Sequence, residues 1–271
     1  MATSAQWQVA RDAAERYDQV LVPAILGPAA RALVELSDLR GGETVLDVGC
    51  GTGAAARFAA VKVGSSGRVS GVDVNAGMIE VAKSLPPVRG AAIEWIENSA
   101  YQLPFSEAAF DIAFCAQTLQ FLEDRPRALA EMYRVLKPGG RIALSLWCDL
   151  PESPYFHALV QAVTDHIGVE TASGLRAAFS LSDPEKIRVL LTRAGFKDPR
   201  ATVKQLDLEL PDLDEFVPRH VSATPMAGGF HAASEGARRE VVRQVSEQLC
   251  PYETAHGIRV PFRTHLVMST K

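Results

Sequence analysis

Short apolar runs alternate with helix-length segments between residues 42 and 147. Five of these runs have the length and residue types of β-strands, and they cover residues 44–48, 68–74, 93–98, 110–116 and 141–147. Strands that alternate with helices in this way are typical of a parallel sheet with crossover helices. We therefore predict an α/β core over residues 42–149.

Helix signals fill the gaps between these strands. The segments 54–63 and 76–84 are predicted helices, and the segment 125–140 carries the strongest signals. Its Pro126 suits a first helical turn, and an apolar stripe follows at helical spacing. The sequence Pro138-Gly139-Gly140 then turns the chain into the fifth strand.

The same pattern continues after residue 182. Asp183 is a predicted N-cap for a helix over 183–196, because Pro184 follows it and Gly195 stands near the end. Residues 199–210 and 259–270 are predicted as the sixth and seventh strands.

Three stretches do not fit this alternation: 1–36, 151–181 and 212–251. Segments added to a sheet core usually carry specificity. We expect one domain over residues 1–271, in which these stretches form a lid or substrate cap.

Charge and composition exclude some partners. The formal net charge is −4, the pI is about 5.9, and no run of like charges forms a basic stripe, so we expect no nucleic-acid partner. The first residues are polar where a secretory signal would be apolar, and no stretch reaches the length of a membrane span. We therefore expect a cytoplasmic protein without a membrane partner, and no feature indicates an oligomeric state.

The sequence VLDVGCGTGAAARF at 45–58 places three glycines between a strand and a helix. Such a loop lets the backbone approach a ligand, whose negative group can lie over free N–H groups at the helix N-terminus. Gly49, Gly51 and Ala54 also satisfy the dinucleotide-binding pattern, so a nicotinamide or flavin ligand remains open at this point.

Two carboxylates narrow the choice of ligand. Asp73 ends the second strand 20 residues after Gly53, where an acid can accept hydrogen bonds from ribose hydroxyls. Asp47 lies two residues before the glycines, where it would repel a pyrophosphate but suits an ammonium group. Together they favour an adenosine-containing ligand that carries a positive charge, such as S-adenosylmethionine.

Five ordered motifs resemble those of class I S-adenosylmethionine-dependent methyltransferases, in particular the ubiquinone/menaquinone-biosynthesis-like group. The motifs read VLDVGCGTG, VSGVDVN, AYQLPF, FDIAFCAQTLQFLED and RALAEMYRVLKPGGRIALSLW. The resemblance runs continuously from about residue 42 to 148. It implies a Rossmann-like, seven-stranded sheet with helices on both faces, whose last strand is antiparallel and inserted beside the fifth.

The resemblance also implies roles for individual residues. Asp47 and the three glycines would frame the methionine part of the cofactor, Asp73 would hold the ribose, and Val74 and Met78 would flank the adenine. The full set of expected cofactor-binding residues is Tyr17, Asp47, Gly49, Cys50, Gly51, Gly53, Asp73, Val74, Met78, Ser99, Ala100, Ala116 and Gln117.

One position departs from the family pattern. The family usually reads GDAxxLPF, with an acid that accepts the adenine amino group, whereas this chain reads NSAYQLPF. Ser99 therefore replaces the acid. Ser99 or a main-chain carbonyl can still accept one hydrogen bond, but a neutral hydroxyl is a weaker acceptor than a carboxylate. The effect of this replacement on cofactor affinity stays open.

Methyl transfer from a sulfonium is an in-line displacement that positioning alone can accelerate, so no fixed acid or base is required. The candidates for such a role are His157, His220, His231 and Gln120. A structural role is favoured for each histidine, whereas helix capping and ligand contact both stay open for Gln120. The sequence after the fourth strand lacks the Asn/Asp-Pro-Pro-aromatic motif of amino-directed DNA methyltransferases. No cluster of acids and histidines has metal-ligand spacing, and we predict a metal-independent reaction.

The favoured function is methyl transfer from S-adenosylmethionine to a small, substantially apolar acceptor. Trp7 and Tyr17 are either core residues or residues that close over the cofactor. The residues expected in a pocket roof are Phe156, Phe179, Phe216, Met226 and Phe230. A nucleotide-dependent oxidoreductase would need a second dinucleotide motif, which is not found. A cofactor-binding scaffold without methyl transfer, including one that directs a cyclisation, stays open.

Overall fold

The computed structural model describes residues 10–255 and 257–271. Trp7 and the first residues of the predicted N-terminal helix lie outside this part. The strands are β1 (Thr44–Val48), β2 (Arg68–Asp73), β3 (Ile93–Glu97), β4 (Phe110–Ala116), β5 (Leu136–Trp147), β6 (Lys197–Leu210), β7 (Glu253–Thr254) and β8 (Gly257–Thr270). The strands predicted from the sequence are all present, with bounds that differ by a few residues.

The α-helices are α1 (Arg11–Arg16), α2 (Gly27–Leu36), α3 (Ala54–Val63), α4 (Ala76–Ser84), α5 (Arg125–Val135), α6 (Pro154–His166), α7 (Val169–Arg176), α8 (Pro184–Arg193), α9 (Leu213–Ser222), α10 (Ala227–Ala232) and α11 (Glu235–Leu249). The helices of the sheet core are α3, α4, α5 and α8, whereas those of the added segments precede β1 or lie between β5 and β6 or between β6 and β7. A π-helical segment, Tyr17–Leu26, joins α1 to α2.

The sheet has the strand order β3-β2-β1-β4-β5-β8-β6, and β7 pairs with β8. Strands β1 to β5 pair in parallel, whereas β8 is antiparallel to both β5 and β6. The predicted insertion of an antiparallel last strand beside the fifth is therefore confirmed. In the described residues the sheet has eight strands where seven were predicted, because the two-residue β7 joins it.

Strand β4 shows why the centre of the sheet reads as a continuous apolar run. Successive side chains of a strand point to opposite faces. Ile112 and Phe114 pack in a cluster with helices α2 and α3, whereas Ala113 and Cys115 pack in a cluster with α5 and α8. Helices therefore cover both faces of the sheet, as predicted, and the central strand is buried on both.

The connection between α5 and β5 differs from the predicted turn. The strand begins at Leu136, directly after the helix, and the pairing with β4 shifts between Phe110↔Leu136 and Ile112↔Arg141. Residues 137–140 form a bulge in this shift, and Gly139 adopts a φ of +75°. The predicted turn residues thus produce a bulge inside the strand.

The helical stretch Arg11–Leu36 has, within the described residues, the length and apolar content of a membrane span. The expectation that no stretch reaches this length was wrong. Leu21, Ile25 and Leu33 of this stretch are almost fully buried against the rest of the protein. Packing in the core therefore accounts for its apolar residues.

The three added segments share one apolar cluster. It contains residues of the N-terminal stretch, of α6 and α7, and of α9, α10 and α11. Trp147, the last residue of β5, belongs to the same cluster. The cluster therefore lies at the carboxyl end of β5, where ligands bind in open α/β sheets.

Candidate functional site

The glycine loop 49–53 connects β1 to α3 at the carboxyl edge of the sheet. Gly49, Gly51 and Gly53 adopt φ values of +70°, +54° and +94°. A Cβ atom at Gly49 would lie 2.1 Å from Thr118, and one at Gly53 would lie 2.2 Å from Trp95. At Gly51 the nearest atoms belong to Tyr17, at 3.9 Å. The outer two glycines therefore permit close packing, and the middle one leaves space for a ligand.

The Asp73 carboxylate joins this loop to the start of α4. One of its oxygens accepts a hydrogen bond from the N–H of Gly51 at 2.8 Å, and the other accepts one from the N–H of Asn75 at 2.9 Å. Burial raises the pKa of Asp73, and these backbone donors oppose the rise. Each carboxylate oxygen can accept more than one hydrogen bond, so Asp73 retains acceptor capacity for ribose hydroxyls.

Asp47 lies beneath the loop. It is 1% exposed, and its Oδ2 accepts a hydrogen bond from the N–H of Ala56 at 3.0 Å. Its Oδ1 has no hydrogen-bond partner among the described residues. Burial raises the pKa of Asp47 to about 7, and the charge of Asp73 adds to the rise. This edge of the sheet therefore carries two acids that a positively charged ligand would stabilise in their ionised form.

A cavity opens beside the loop, with about 1290 Å³ of empty volume that includes space open to solvent. Its wall contains many of the residues predicted from the sequence: Tyr17, Gly49, Gly51, Asp73, Val74, Met78, Ser99, Ala100, Gln117, Gln120 and His220. The structure thus brings together residues from the N-terminal stretch, the sheet edge and α9.

Other predicted residues lie outside this wall. Asp47 is buried beneath the loop, and Cys50 is a buried residue of the loop whose thiol donates to the carbonyl of Gly51 at 3.6 Å. Gly53 faces Trp95, and Ala116 packs against the apolar cluster that the sheet forms with α2 and α3. These four residues support the shape of the loop and the strand ends, and they do not form the surface of the cavity.

Two of the three candidate histidines lie away from the cavity. His157 on α6 and His231 on α10 are exposed and do not line the cavity. His231 contributes to a separate groove on the surface of α9, α10 and α11. Their helices place these side chains on the solvent side, so neither can act on a ligand in the cavity.

Ser99 faces the cavity, as the resemblance implies. Its hydroxyl oxygen accepts a hydrogen bond from the N–H of Tyr101 at 3.2 Å, and its own N–H donates to the side chain of Asn98 at 2.7 Å. These contacts stabilise the turn after β3. The position that departs from the family pattern therefore belongs to the ligand-facing surface.

Gln117 and Gln120 form a network at the carboxyl end of β4. Gln117 has a φ of +49°, and its side-chain amide donates to the hydroxyl of Thr264 at 3.2 Å. Gln120 donates to the side-chain oxygen of Gln117 at 3.0 Å. Gln120 is 4% exposed, and its Oε1 has no partner among the described residues. The network therefore leaves one buried acceptor in a residue of the cavity wall.

His220 is the histidine that lines the cavity. It is 2% exposed, and its Nδ1 lies 2.7 Å from the hydroxyl oxygen of Tyr155. Burial lowers the pKa of His220 to about 3. The imidazole is therefore neutral near pH 7.

The apolar part of the wall differs from the predicted roof. Phe156 lines the cavity, whereas the other four predicted roof residues pack elsewhere in the cluster of the added segments. The apolar wall residues that sequence reasoning missed are Leu21, Ile25, Leu26, Val72, Phe121, Leu122, Trp147, Leu175 and Ala178. Their apolar character was visible in the sequence, but it does not distinguish a cavity wall from a core.

No group of three or more histidine, cysteine or acidic side chains lies at metal-binding distances within residues 10–255 and 257–271. The metal independence of the reaction stays a prediction.

The cofactor-binding core matches a known family profile. Residues 46–144 match the family described as a methyltransferase domain. The chain is 40% identical over 115 residues to the chloroplastic 2-phytyl-1,4-beta-naphthoquinone methyltransferase of Arabidopsis thaliana. The aligned residues cover 41% of this chain and 44% of that protein. It is 31% identical over 181 residues to a ubiquinone/menaquinone biosynthesis C-methyltransferase of Legionella pneumophila. This alignment covers 62% of this chain and 72% of the relative. The chain thus spans less than half of the first relative and nearly three quarters of the second.

A solved structure shares the fold. The phosphoethanolamine N-methyltransferase 2 of Haemonchus contortus, in complex with S-adenosyl-L-methionine, is 18% identical and superposes with a TM-score of 0.61. The superposition covers 100% of this chain and 60% of that chain. At this identity the likeness concerns the fold alone.

Proposed function

The chain belongs to the class I S-adenosylmethionine-dependent methyltransferases of the ubiquinone/menaquinone-biosynthesis-like group, and we propose that it methylates a small apolar acceptor bound in the cavity. One observation carries the proposal: a single cavity joins the glycine loop and Asp73 to an apolar wall from the added segments. Such a cavity can hold a polar cofactor and an apolar acceptor side by side.

The residues of the sheet edge fit the cofactor. Gly51 leaves open space where a Cβ atom would stand, and Asp73 retains acceptor capacity beside it. The unpartnered Oδ1 of Asp47 adds a buried carboxyl oxygen beneath the loop, and a positively charged ligand would favour the ionised form of this acid. S-adenosylmethionine carries a sulfonium and an ammonium group, so this electrostatic environment favours it over a dinucleotide with its anionic pyrophosphate.

The chemistry needs little from the protein beyond positioning. When bound, S-adenosylmethionine supplies a methyl group to which the acceptor atom forms a bond, while the carbon–sulfur electron pair stays on sulfur and a proton leaves the acceptor. Tyr17 and Leu21 of the π-helical segment and Gln117 after β4 line the cavity in which the two ligands would lie side by side. Alignment of the reacting atoms can supply much of the acceleration in such a displacement.

The added segments form the acceptor cap in this proposal. Leu21 comes from the first segment, Phe156 and Leu175 from the second, and His220 from the third. All four line the same cavity. This convergence supports the prediction that residues 1–36, 151–181 and 212–251 serve as lid and substrate cap of one domain.

The names of the relatives suggest the class of acceptor. They describe methyltransferases of phytyl naphthoquinone and of ubiquinone or menaquinone biosynthesis, the latter as a C-methyltransferase. We infer by analogy that the acceptor is a quinol with an apolar substituent and that the methyl group goes to a ring carbon. The apolar wall is compatible with such a molecule.

Mass spectrometry tests the proposed function. The protein is incubated with S-adenosylmethionine and a panel of acceptors that contains alkyl-substituted naphthoquinols, benzoquinols, catechols and amines. We expect one CH₂ added to a quinol and an equal amount of S-adenosylhomocysteine. Tight cofactor binding without a methylated product from any acceptor would contradict the proposal and favour a non-methylating scaffold.

A further inference from the structure

The hydrogen bond between Tyr155 and His220 fixes the position of a proton. Tyr155 has no exposed surface, and among the described residues its hydroxyl has one hydrogen-bond partner, Nδ1 of His220. Burial raises the pKa of Tyr155 well above its usual value, so the hydroxyl always carries a hydrogen. A buried O–H group without an acceptor is costly. The Tyr155 hydroxyl therefore donates to Nδ1.

This direction determines the tautomer of His220. A neutral imidazole has one N–H group, and a nitrogen that accepts a hydrogen bond does not carry it. The hydrogen of His220 therefore lies on Nε2. In the opposite tautomer Nδ1 would donate to the Tyr155 oxygen, and the hydrogen of the Tyr155 hydroxyl would have no acceptor.

The Nε2 atom reaches the cavity. It has no hydrogen-bond partner among the described residues, yet it does not belong to their fully buried unpaired polar atoms. His220 lines the cavity, and Tyr155 does not. The ring thus turns Nδ1 towards the core and presents Nε2–H to the ligand space. Its neighbours Phe156 and Phe216 pack edge-on against it, with ring centroids 5.9 Å and 5.7 Å away, and hold this orientation.

We propose that the Nε2–H group of His220 binds an oxygen atom of the methyl acceptor, and that Tyr155 is the positioning residue that fixes the donor tautomer. The acceptor would be an apolar molecule with an oxo or hydroxy group. This inference rests on the proposed function, because it takes the ligand of the apolar wall to be the methyl acceptor. It assigns His220 the role of a hydrogen-bond donor and not that of a general base.

Nitrogen-15 NMR of the full chain tests the tautomer without any acceptor. The spectrum of His220 is assigned by comparison with His220→Gln. We expect a proton on Nε2 and unchanged ring shifts from pH 8 to pH 5. In Tyr155→Phe we expect a mixture of tautomers, because Nδ1 loses its donor. A proton on Nδ1 in the wild-type protein would overturn the inference.

A pair of probes tests the recognition of oxygen. The probes are 2,3-dimethyl-1,4-naphthoquinone and 2,3-dimethylnaphthalene, which differ in the two oxygen atoms and cannot be methylated at the substituted positions. The preference is the ratio of the dissociation constants of the hydrocarbon and the quinone, measured by titration. We expect this ratio to fall about tenfold in Tyr155→Phe/His220→Leu, which removes both polar groups and leaves no hydroxyl unpaired. His220→Gln keeps an N–H donor, and its preference should stay within about threefold of the wild-type value.

The two hypotheses fail separately. An unchanged preference in the double variant would contradict oxygen recognition, even if methyl transfer takes place. A lost preference together with the Nε2–H tautomer would support oxygen recognition, even if none of the acceptors in the panel is methylated.

Discussion

The Asp73 carboxylate accepts a hydrogen bond from the N–H of Gly51 at 2.8 Å across the ends of two neighbouring strands. This contact places an acid beside the one glycine of the loop that leaves open space. Asp73 therefore shapes the loop as well as offering acceptor atoms to a ligand. A substitution at this position has to keep the first role if it is to report on the second.

Asp73→Asn should weaken the binding of S-adenosylhomocysteine by about 2–3 kcal/mol. The amide keeps an oxygen for the N–H of Gly51, but it turns its NH₂ group towards the N–H of Asn75 and loses the charge that strengthens hydrogen bonds to the ribose. The free energy of unfolding of the variant, from denaturant titration, shows how much of the change is structural. Titration calorimetry on the folded variant measures the change. Glu97→Gln is the matched control, because Glu97 pairs with Asp73 across β2 and β3, is exposed and does not line the cavity. Equal affinities of the two variants would place the ribose elsewhere.

Alanine at the loop glycines should separate stability from binding. Gly53→Ala brings a Cβ atom to 2.2 Å from Trp95 and should lower the free energy of unfolding by about 2–5 kcal/mol. Gly51→Ala meets nothing closer than 3.9 Å, so only the left-handed backbone opposes it, at about 1–2 kcal/mol. Its methyl group enters the ligand space and should weaken cofactor binding. Denaturant titration and calorimetry together test this, and the reverse pattern would contradict the assigned geometry.

Asp47→Asn should remove a pH dependence of stability. A pKa raised from 3.8 to about 7 means that the native state binds a proton between these pH values and the unfolded state does not. The contribution of Asp47 to stability therefore falls as the pH rises from about 4 to 7. The variant should gain about 4 kcal/mol relative to the wild type over this range, at 1.36 kcal/mol per pH unit.

Asp111→Asn is the contrast for this measurement. Burial would raise the pKa of Asp111, but the hydrogen bonds from Lys137 and the N–H of Thr44 lower it. The contribution of Asp111 to stability therefore grows as the pH rises, whereas that of Asp47 falls. Asp111→Asn should lose free energy of unfolding relative to the wild type as the pH rises, whereas Asp47→Asn gains it. Denaturant titrations of the three proteins between pH 4 and pH 8 give the comparison. Parallel curves for wild type and Asp47→Asn would show that folding does not raise the pKa of Asp47 and would contradict this prediction.

Ser99→Asp should tighten cofactor binding by up to about 1–2 kcal/mol. It restores a charged acceptor at a position that lines the cavity, less the cost of desolvating the carboxylate. The gain should be absent for an analogue whose 6-amino group is replaced by oxygen, since the aspartate repels that acceptor whereas the serine tolerates it. Calorimetry of both ligands with both proteins gives the coupling. A coupling near zero would mean that residue 99 does not face the adenine.

Local features of the fold were predictable from the sequence. The strands, the glycine loop and Asp73 follow from residues within about 30 positions of one another, and the parallel pattern brings the strand ends to one edge. The bulge in β5 was missed because a Pro-Gly-Gly sequence also favours a turn. Which of the two forms depends on pairing with β4.

The apolar half of the site was not predictable in the same way. His157, His220 and His231 all lie on helices of the added segments, but only the packing of those segments makes one buried and two exposed. The partner of His220 is Tyr155, 65 residues earlier in the chain. The sequence pattern has no signal for such a pair, because two segments outside the regular alternation must first pack together.

A single-turnover experiment tests whether the methyl acceptor binds in the cavity. It uses S-adenosylmethionine that carries carbon-13 in the methyl group and an alkyl-substituted naphthoquinol as acceptor. Ala178 lines the apolar wall, and Ala177 beside it does not. In Ala178→Phe, we expect unchanged cofactor affinity but a transfer of label at least about tenfold slower, because the ring fills acceptor space. Ala177→Phe should transfer at the wild-type rate. Equal rates in all three proteins would contradict the claim that the acceptor binds in this cavity.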